Sequence, residues 1–222
     1  TTEIYTLSLH DALPILRLFG ELPELREWPI VVDENMPAAH YEMLRLIAGA
    51  EREYFSLPPG VELQVDTLAV ALKVAFKPHN LTPEAFRQSS ITEITCDPEA
   101  LQYFKQTCSE RLGLNGSGGA GSGRRIFISR RNSSFRLLAN EAEIIQALAD
   151  EGFETVYPEE MSFAEQARLF HSAQCVVGPN GSAFNNIVFS PASSRAVMLF
   201  GPDMANWPGW LNAAASLGHR IT

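Results

Sequence analysis

The sequence predicts an α/β fold whose carboxyl-terminal part is a Rossmann-like parallel sheet. Two observations carry this: from residue 124 onward short apolar runs alternate with amphipathic stretches at helical spacing, and the connections between them are only a few residues long. A third is the stretch NGSGGAGSG, Asn115 to Gly123, whose composition is that of a flexible connector between domains, the alternative being an irregular loop inside one domain.

The chain opens with fifteen residues that are set aside. Thr6 to Ile15, TLSLHDALPI, resembles one translated frame of a sequencing-library adapter, so residues 1–15 are treated as an artefactual scar and the natural amino terminus is expected to be missing. His10 and Asp11 are therefore not read as a catalytic pair. From residue 16 to 114 an incomplete α/β domain is expected. WPIVVDEN reads as a buried strand, and PAAHYEMLRLIAG as a helix with Pro37 early and Gly49 at its stop. VELQVDTLAVALKVAF, residues 61–76, alternates as strands do. DPEALQYFKQTCSERLGL reads as a helix with Asp97 as N-cap, Pro98 in its first turn and Gly113 at its end.

The domain at 124–222 is more regular. RIFIS (125–129), FETVYP (153–158), QCVVG (174–178) and RAVMLF (195–200) are predicted strands. NEAEIIQALADEG (140–152), SFAEQARLFHSA (162–173) and the short SAFNNIVF (182–189) are predicted helices, the second with a Ser162/Glu165 capping box. Strands so joined by helices lie parallel and are linked by crossovers.

Composition narrows the function. Of the 222 residues 45% are hydrophobic and 19% charged, as in an ordinary globular protein, and a net charge of −9 argues against general nucleic-acid binding. Yet Arg124, Arg125, Arg130, Arg131 and Arg136 fall together with no acid between them, which suits a local anion site. Cys96, Cys108 and Cys175 show no CxxC spacing and read as core residues in a reducing compartment, hence a cytoplasmic protein. No apolar run reaches the roughly 20 residues of a membrane span. LAVALKVAF is short and carries Lys73, so no transmembrane segment is expected, and peripheral association with the inner membrane face stays open.

In open parallel sheets ligands collect beyond the carboxyl ends of the strands. Three loops there carry distinctive residues: Ser129, Arg130 and Arg131 continuing to Arg136; Pro158, Glu159 and Glu160; and Gly178, Pro179, Asn180, Gly181 and Ser182. The last runs into a helix, whose free N–H groups favour a phosphate, while Gly181 permits close approach and Arg130 offers a planar fork to diphosphate oxygens. Plainer roles stand beside these. Arg124, Arg125 and Arg131 suit solvent, Asn140 and Glu160 suit helix caps, Glu165 and Gln166 suit a cap or solvent, and His171 and His219 suit structural positions. Residue types and spacing alone support a phosphate site and single out no reaction.

RRIFISRRNSSFRLLANEAEIIQALADEGFETVYPEEMSFAEQARLFHSAQCVVGPNGSAFNNIVFS resembles the carboxyl-terminal domain of family 61 glycosyltransferases. The family pattern of S-R, R, N-E, G-F, P-E, E-Q and a glycine loop followed by small residues, N and F falls here on Ser129, Arg130, Arg136, Asn140, Glu141, Gly152, Phe153, Pro158, Glu159, Glu165, Gln166, Gly178, Gly181, Ser182, Ala183, Asn186 and Phe189. The resemblance implies a GT-B-like fold, with residues 16–114 on the acceptor side and 124–222 holding a nucleotide-diphosphate sugar. It implies inverting transfer to a glycan or lipid-linked saccharide, in surface or capsular polysaccharide synthesis. Arg130 would then bind the diphosphate, with Asn180, Gly181, Ser182 and Ala183 at the phosphate loop and Arg136, Glu165, Gln166 and Asn186 supporting or contacting the nucleotide.

The chain departs from the family at Asn180, where a histidine is common, and in the amino-terminal segment that in relatives carries His and acidic residues; no catalytic base is assigned. No D-x-D occurs, so no metal and no cofactor beyond the sugar donor is expected, arginine and helix dipole standing in for a cation. The alternative is a noncatalytic nucleotide- or glycan-binding module, truncated or degenerate. A dinucleotide oxidoreductase is disfavoured by the missing G-x-G-x-x-G, and a serine hydrolase by Ser182 lying outside any G-x-S-x-G.

Overall fold

The computed structural model describes residues 22–67, 75–76, 95–96, 98–115, 123–133, 137–201 and 218–221. The first half begins with a strand, helix, strand unit: β1 (Ile30–Asp33), α1 (Ala38–Ala48) and β2 (Tyr54–Leu57), the two strands paired in parallel. β1 and α1 lie where the apolar run and the helical spacing predicted them. β2 was not anticipated, because YFSL has no flanking periodicity. The strand reading of residues 61–76 is corrected: 61–67 is irregular and exposed throughout. Alternation provides two faces, but at 61–67 neither is covered, and a strand also needs a partner edge. Residues 68–74 lie outside the described residues, and Ala75–Phe76 forms a strand (β3), antiparallel to β4 (Thr95–Cys96). α2 (Pro98–Arg111) starts at the expected proline, and Gly113 beyond its end has φ +68°, the left-handed conformation that stops a helix. Its expected N-cap, Asp97, and most of the glycine-rich connector lie outside the described residues.

The second half is the predicted Rossmann-like sheet. Its strands are β5 (Arg124–Ile128), β6 (Phe153–Val156), β7 (Ala173–Pro179), β8 (Arg195–Leu199) and β9 (Arg220–Ile221), all parallel, in the order β6-β5-β7-β8-β9. In β5, Ile126, Phe127 and Ile128 are all buried, which is why this strand reads as a continuous apolar run rather than an alternating one. α3 (Glu141–Asp150) and α4 (Phe163–Ser172) form the crossovers. Ser182–Phe189 is a 3-10 helix. Six of its eight residues are buried, so packing on several sides outweighs any intrinsic preference for the α form. β9 is too short to have left a periodic signal.

One hydrophobic cluster draws on both halves. Phe104 of α2 meets Phe163 of α4 and Phe189 of the 3-10 helix at ring-centroid distances of 6.4 and 5.6 Å, and the last two meet edge-on at 5.8 Å. Val32, Met43, Leu44 and Ile47 join the same cluster, so α1 and α2 are seated on the carboxyl-terminal sheet domain. Cys108, on α2, is buried in it, and burial pushes its thiol up to about 12, in keeping with a packing role.

Two expected outcomes follow from this packing. A Cβ at Gly178 would lie 2.8 Å from both Cβ and carbonyl O of Ile128, atoms of the neighbouring strand that cannot swing aside. Gly178→Ala should therefore cost about 2 kcal/mol or more in urea unfolding, an overpacking penalty; an unchanged midpoint would contradict the reading. His219 is 6% exposed with no hydrogen-bond partner for either ring nitrogen among the described residues. Burial, then the positive charge of Lys105, push its pKa down to about 4. Between pH 6.5 and about 4 the unfolded chain takes up this proton and the native chain does not, so stability falls as pH falls through that window and levels off below it. The loss should approach about 3 kcal/mol in total. His219→Leu should flatten that part of the curve in pH-dependent denaturation.

Candidate functional site

β5 leads to β6 on one side and, after the next crossover, to β7 on the other. The order therefore reverses between β5 and β7, and in open α/β sheets a crevice forms beyond the strand ends at such a point. A cavity of about 780 Å³ lies there. Its walls are the loop after β5, the turn at 158–162, the segment 179–186 and the amino-terminal end of α1.

The loop after β5 is held by its own polar groups. The Arg130 amide donates to Glu141 Oε1 at 3.1 Å, and the Arg131 amide to the buried Ser129 hydroxyl at 3.2 Å. The Arg130 guanidinium donates to Ser133 Oγ at 2.7 Å, and Asn132 Nδ2 to Glu160 Oε1 at 2.7 Å. The same guanidinium lies against Gly181: a Cβ there would be inside contact distance of Nη1. Gly181 thus gives Arg130 its place beside the 182–189 helix. The N-cap of that helix is Gly181, which brings no side chain to its amino terminus, the end at which a helix carries unpaired amide hydrogens.

The other helix amino terminus at the cavity is closed. Ser162 and Glu165 form a reciprocal capping box, with Ser162 N–H donating to Glu165 Oε2 at 2.8 Å and Glu165 N–H to Ser162 Oγ at 3.2 Å. Glu42, reaching over from α1, accepts from the amides of Phe163 at 2.6 Å and Ala164 at 3.2 Å. Those four donors are satisfied by protein, which makes this helix end a poorer place for an anion than the one at Ser182, where Gly181 supplies no capping side chain.

The sequence-predicted residues fall into three groups. Arg130, Gly181, Ser182, Ala183, Gln166 and Asn186 line the cavity. Asn180 lies beneath the wall, 3% exposed, its amide donating to Leu199 O at 2.9 Å, and Glu165 sits off the cavity in its capping box. Arg136 lies outside the described residues. Gln166 has a structural task as well: its side-chain amide nitrogen, Nε2, donates to the carbonyls of Pro158 at 2.9 Å and Met161 at 3.1 Å, and its Oε1 accepts from Asn186 Nδ2 at 2.8 Å. Gln166 and Asn186 therefore join two walls. The remaining described arginines of the cluster are occupied elsewhere: Arg124 pairs with Glu154, Arg125 donates to Glu151 O at 2.7 Å, and Arg131 covers the Tyr157 ring at 4.3 Å. Asn140 makes no side-chain cap.

His40, Glu42, Asn132, Ser133 and Asn185 also line the cavity and were not singled out from sequence. Only Asn185 had a local signal, being adjacent to Asn186. His40 and Glu42 reach the site through the packing of α1 on α4, which no local pattern encodes.

A family model described as Glycosyltransferase 61 matches residues 8–197. The chain belongs to glycosyltransferase family 61. The match opens at Ser8, inside the segment set aside above, and ends at Val197 in β8. This family 61 chain is 32% identical over 104 residues to Protein O-linked-mannose β-1,4-N-acetylglucosaminyltransferase 2 of Bos taurus, and 31% and 30% identical to the proteins of that name from Canis lupus familiaris and Tetraodon nigroviridis. Each comparison covers 45% of the chain and 18% of the relative, so this chain corresponds to a small part of those proteins. Among the described residues no group of three or more His, Cys, Asp or Glu could hold a metal, and no helix is long and apolar enough to cross a membrane.

If Gln166 joins the two walls, Gln166→Leu should orphan the Pro158 and Met161 carbonyls and the Asn186 amide. A loss of about 1 to 3 kcal/mol in chemical unfolding is expected. A variant as stable as the wild type would show that the amide does not hold these walls together.

Proposed function

We propose that this chain supplies the donor-binding half of a glycosyltransferase that takes its sugar from a nucleotide diphosphate, with inversion and without a metal ion. The observation that carries the reading is the cation and helix pair at the β5/β7 switch point: Arg130 packed against Gly181, beside the uncapped amino terminus of Ser182–Phe189. A diphosphate placed there meets a guanidinium fork on one side and backbone N–H groups on the other. In the transfer the acceptor oxygen attacks the anomeric carbon and the bond from that carbon to the diphosphate oxygen breaks. The leaving diphosphate keeps the electron pair and the acceptor loses its proton to a base. Arg130 and the helix amides oppose the charge that grows on the leaving group, the kind of electrostatic help that lowers such barriers most.

Family membership supports sugar transfer as the reaction class. The GT-B-like arrangement, a glycan or lipid-linked saccharide acceptor and a place in surface or capsular polysaccharide synthesis belong to the same proposal and rest on the family resemblance. The N-acetylglucosaminyltransferase names of the relatives make N-acetylglucosamine the first sugar to try.

UDP or GDP is expected to raise the melting temperature, since a ligand bound only by the native state stabilises it by about 2.7 kcal/mol at a hundred times its Kd. Arg130→Ala should weaken that binding about 10- to 100-fold, the value of a lost charge-assisted bond. An undiminished nucleotide shift in Arg130→Ala would overturn the assignment of the clamp. Nucleotide binding without donor hydrolysis or transfer, in a protein carrying its natural amino terminus, would favour the noncatalytic module.

A further inference from the structure

Two polar atoms at the cavity remain after the phosphate clamp and the Gln166 junction are accounted for. Asn185 is 9% exposed, lines the cavity, and its Oδ1 has no hydrogen-bond partner among the described residues. His40, on α1, lines the same cavity and its Nδ1 is likewise buried without a partner there. A buried polar atom left without a partner is costly, so two at one cavity mark places where something else completes the bonding.

Their placement says which part of a ligand they would meet. A 3-10 helix has three residues per turn, so Asn185 stands directly over Ser182 on one face of the 182–189 helix. A group attached to a diphosphate held at Ser182 therefore reaches Asn185 within one helical turn. His40 comes from the opposite direction in sequence and structure, on the helix that the amino-terminal half lays over α4. The Asn185 amide carries no charge, and burial lowers the His40 pKa below its ordinary value, which favours the neutral imidazole. Neutral amide and imidazole groups suit hydroxyls and acetamido groups rather than phosphate.

We infer that Asn185 and His40 form a subsite for the sugar of the donor, hydrogen-bonding its hydroxyl or acetamido groups next to the phosphate clamp. The inference rests on the donor reading above and adds to it a division of labour: Arg130 and the Ser182 amides hold the diphosphate, and Asn185 and His40 distinguish a sugar-bearing diphosphate from a bare one. Glu42 is excluded from this role because both of its carboxylate oxygens are bound to helix amides.

The test compares UDP and GDP with UDP-N-acetylglucosamine, UDP-glucose and GDP-mannose by calorimetric titration of the wild type, Asn185→Ala, His40→Ala and His40→Gln. In the wild type at least one sugar conjugate should bind more tightly than its bare diphosphate. Asn185→Ala and His40→Ala should each remove about three- to tenfold from that preference while leaving the affinity for the bare diphosphate unchanged. His40→Gln should restore part of it. Because Asn185 Oδ1 has no protein partner to lose among the described residues, the ligand-free melting temperature of Asn185→Ala should match or exceed that of the wild type; a purely structural asparagine would give a clear fall. A wild-type preference that survives both alanine variants would overturn the subsite and leave the phosphate clamp standing. Equal binding of conjugates and bare diphosphates would also overturn the subsite alone, whereas no binding of any of these nucleotides would overturn the clamp and the subsite together.

Discussion

The architecture turns on how closely β7 and its following loop approach β5. At Gly178 the neighbouring strand leaves no room for a side chain, and at Gly181 the space a side chain would take is filled by the Arg130 guanidinium. The first approach lets the two central strands run together to their carboxyl ends, which places the switch point between them. The second puts a fixed cation beside the start of a helix. Both depend on the absence of a Cβ rather than on backbone conformation, for neither glycine adopts a positive φ.

Around that contact the polar groups divide into those that hold the walls and those that face the cavity. Glu141, Ser129 and Ser133 fix the Arg130 loop. Gln166 ties the 158–161 turn to Asn186, and Glu42 with the Ser162/Glu165 box closes the α4 amino terminus. Among the described residues these commitments leave the helix end at Ser182 without a side-chain cap, with the Arg130 guanidinium next to it. A preorganised cation and dipole of this kind cost little reorganisation when charge develops on a leaving group, so in the proposed reaction the same groups would serve binding and chemistry.

Much of the carboxyl-terminal half was legible in the sequence because its signals are local. The apolar run Ile126 to Ile128, the Ser162/Glu165 box and the glycine pair at 178 and 181 each carry their meaning within a few residues. The amino-terminal half was less legible. Alternation at 61–67 looked like a strand but lacks a covered face, and β2 has no periodic flanks. The least legible residues were those joined across long sequence separations. Glu42 bonds to Phe163 and Ala164, and His40 enters the cavity, only because α1 packs on α4, whereas Asn185 is separated from Asn186 in role by which side chain finds Gln166.

The central claim is that the diphosphate of the donor sits at the β5/β7 switch point. A crystal structure of the chain soaked with UDP tests it most directly. The account places the β-phosphate oxygens within hydrogen-bonding distance of the Arg130 guanidinium and of the amides at Ser182 and Ala183. A nucleotide bound elsewhere, or one whose phosphates point away from Arg130 into solvent, would contradict it.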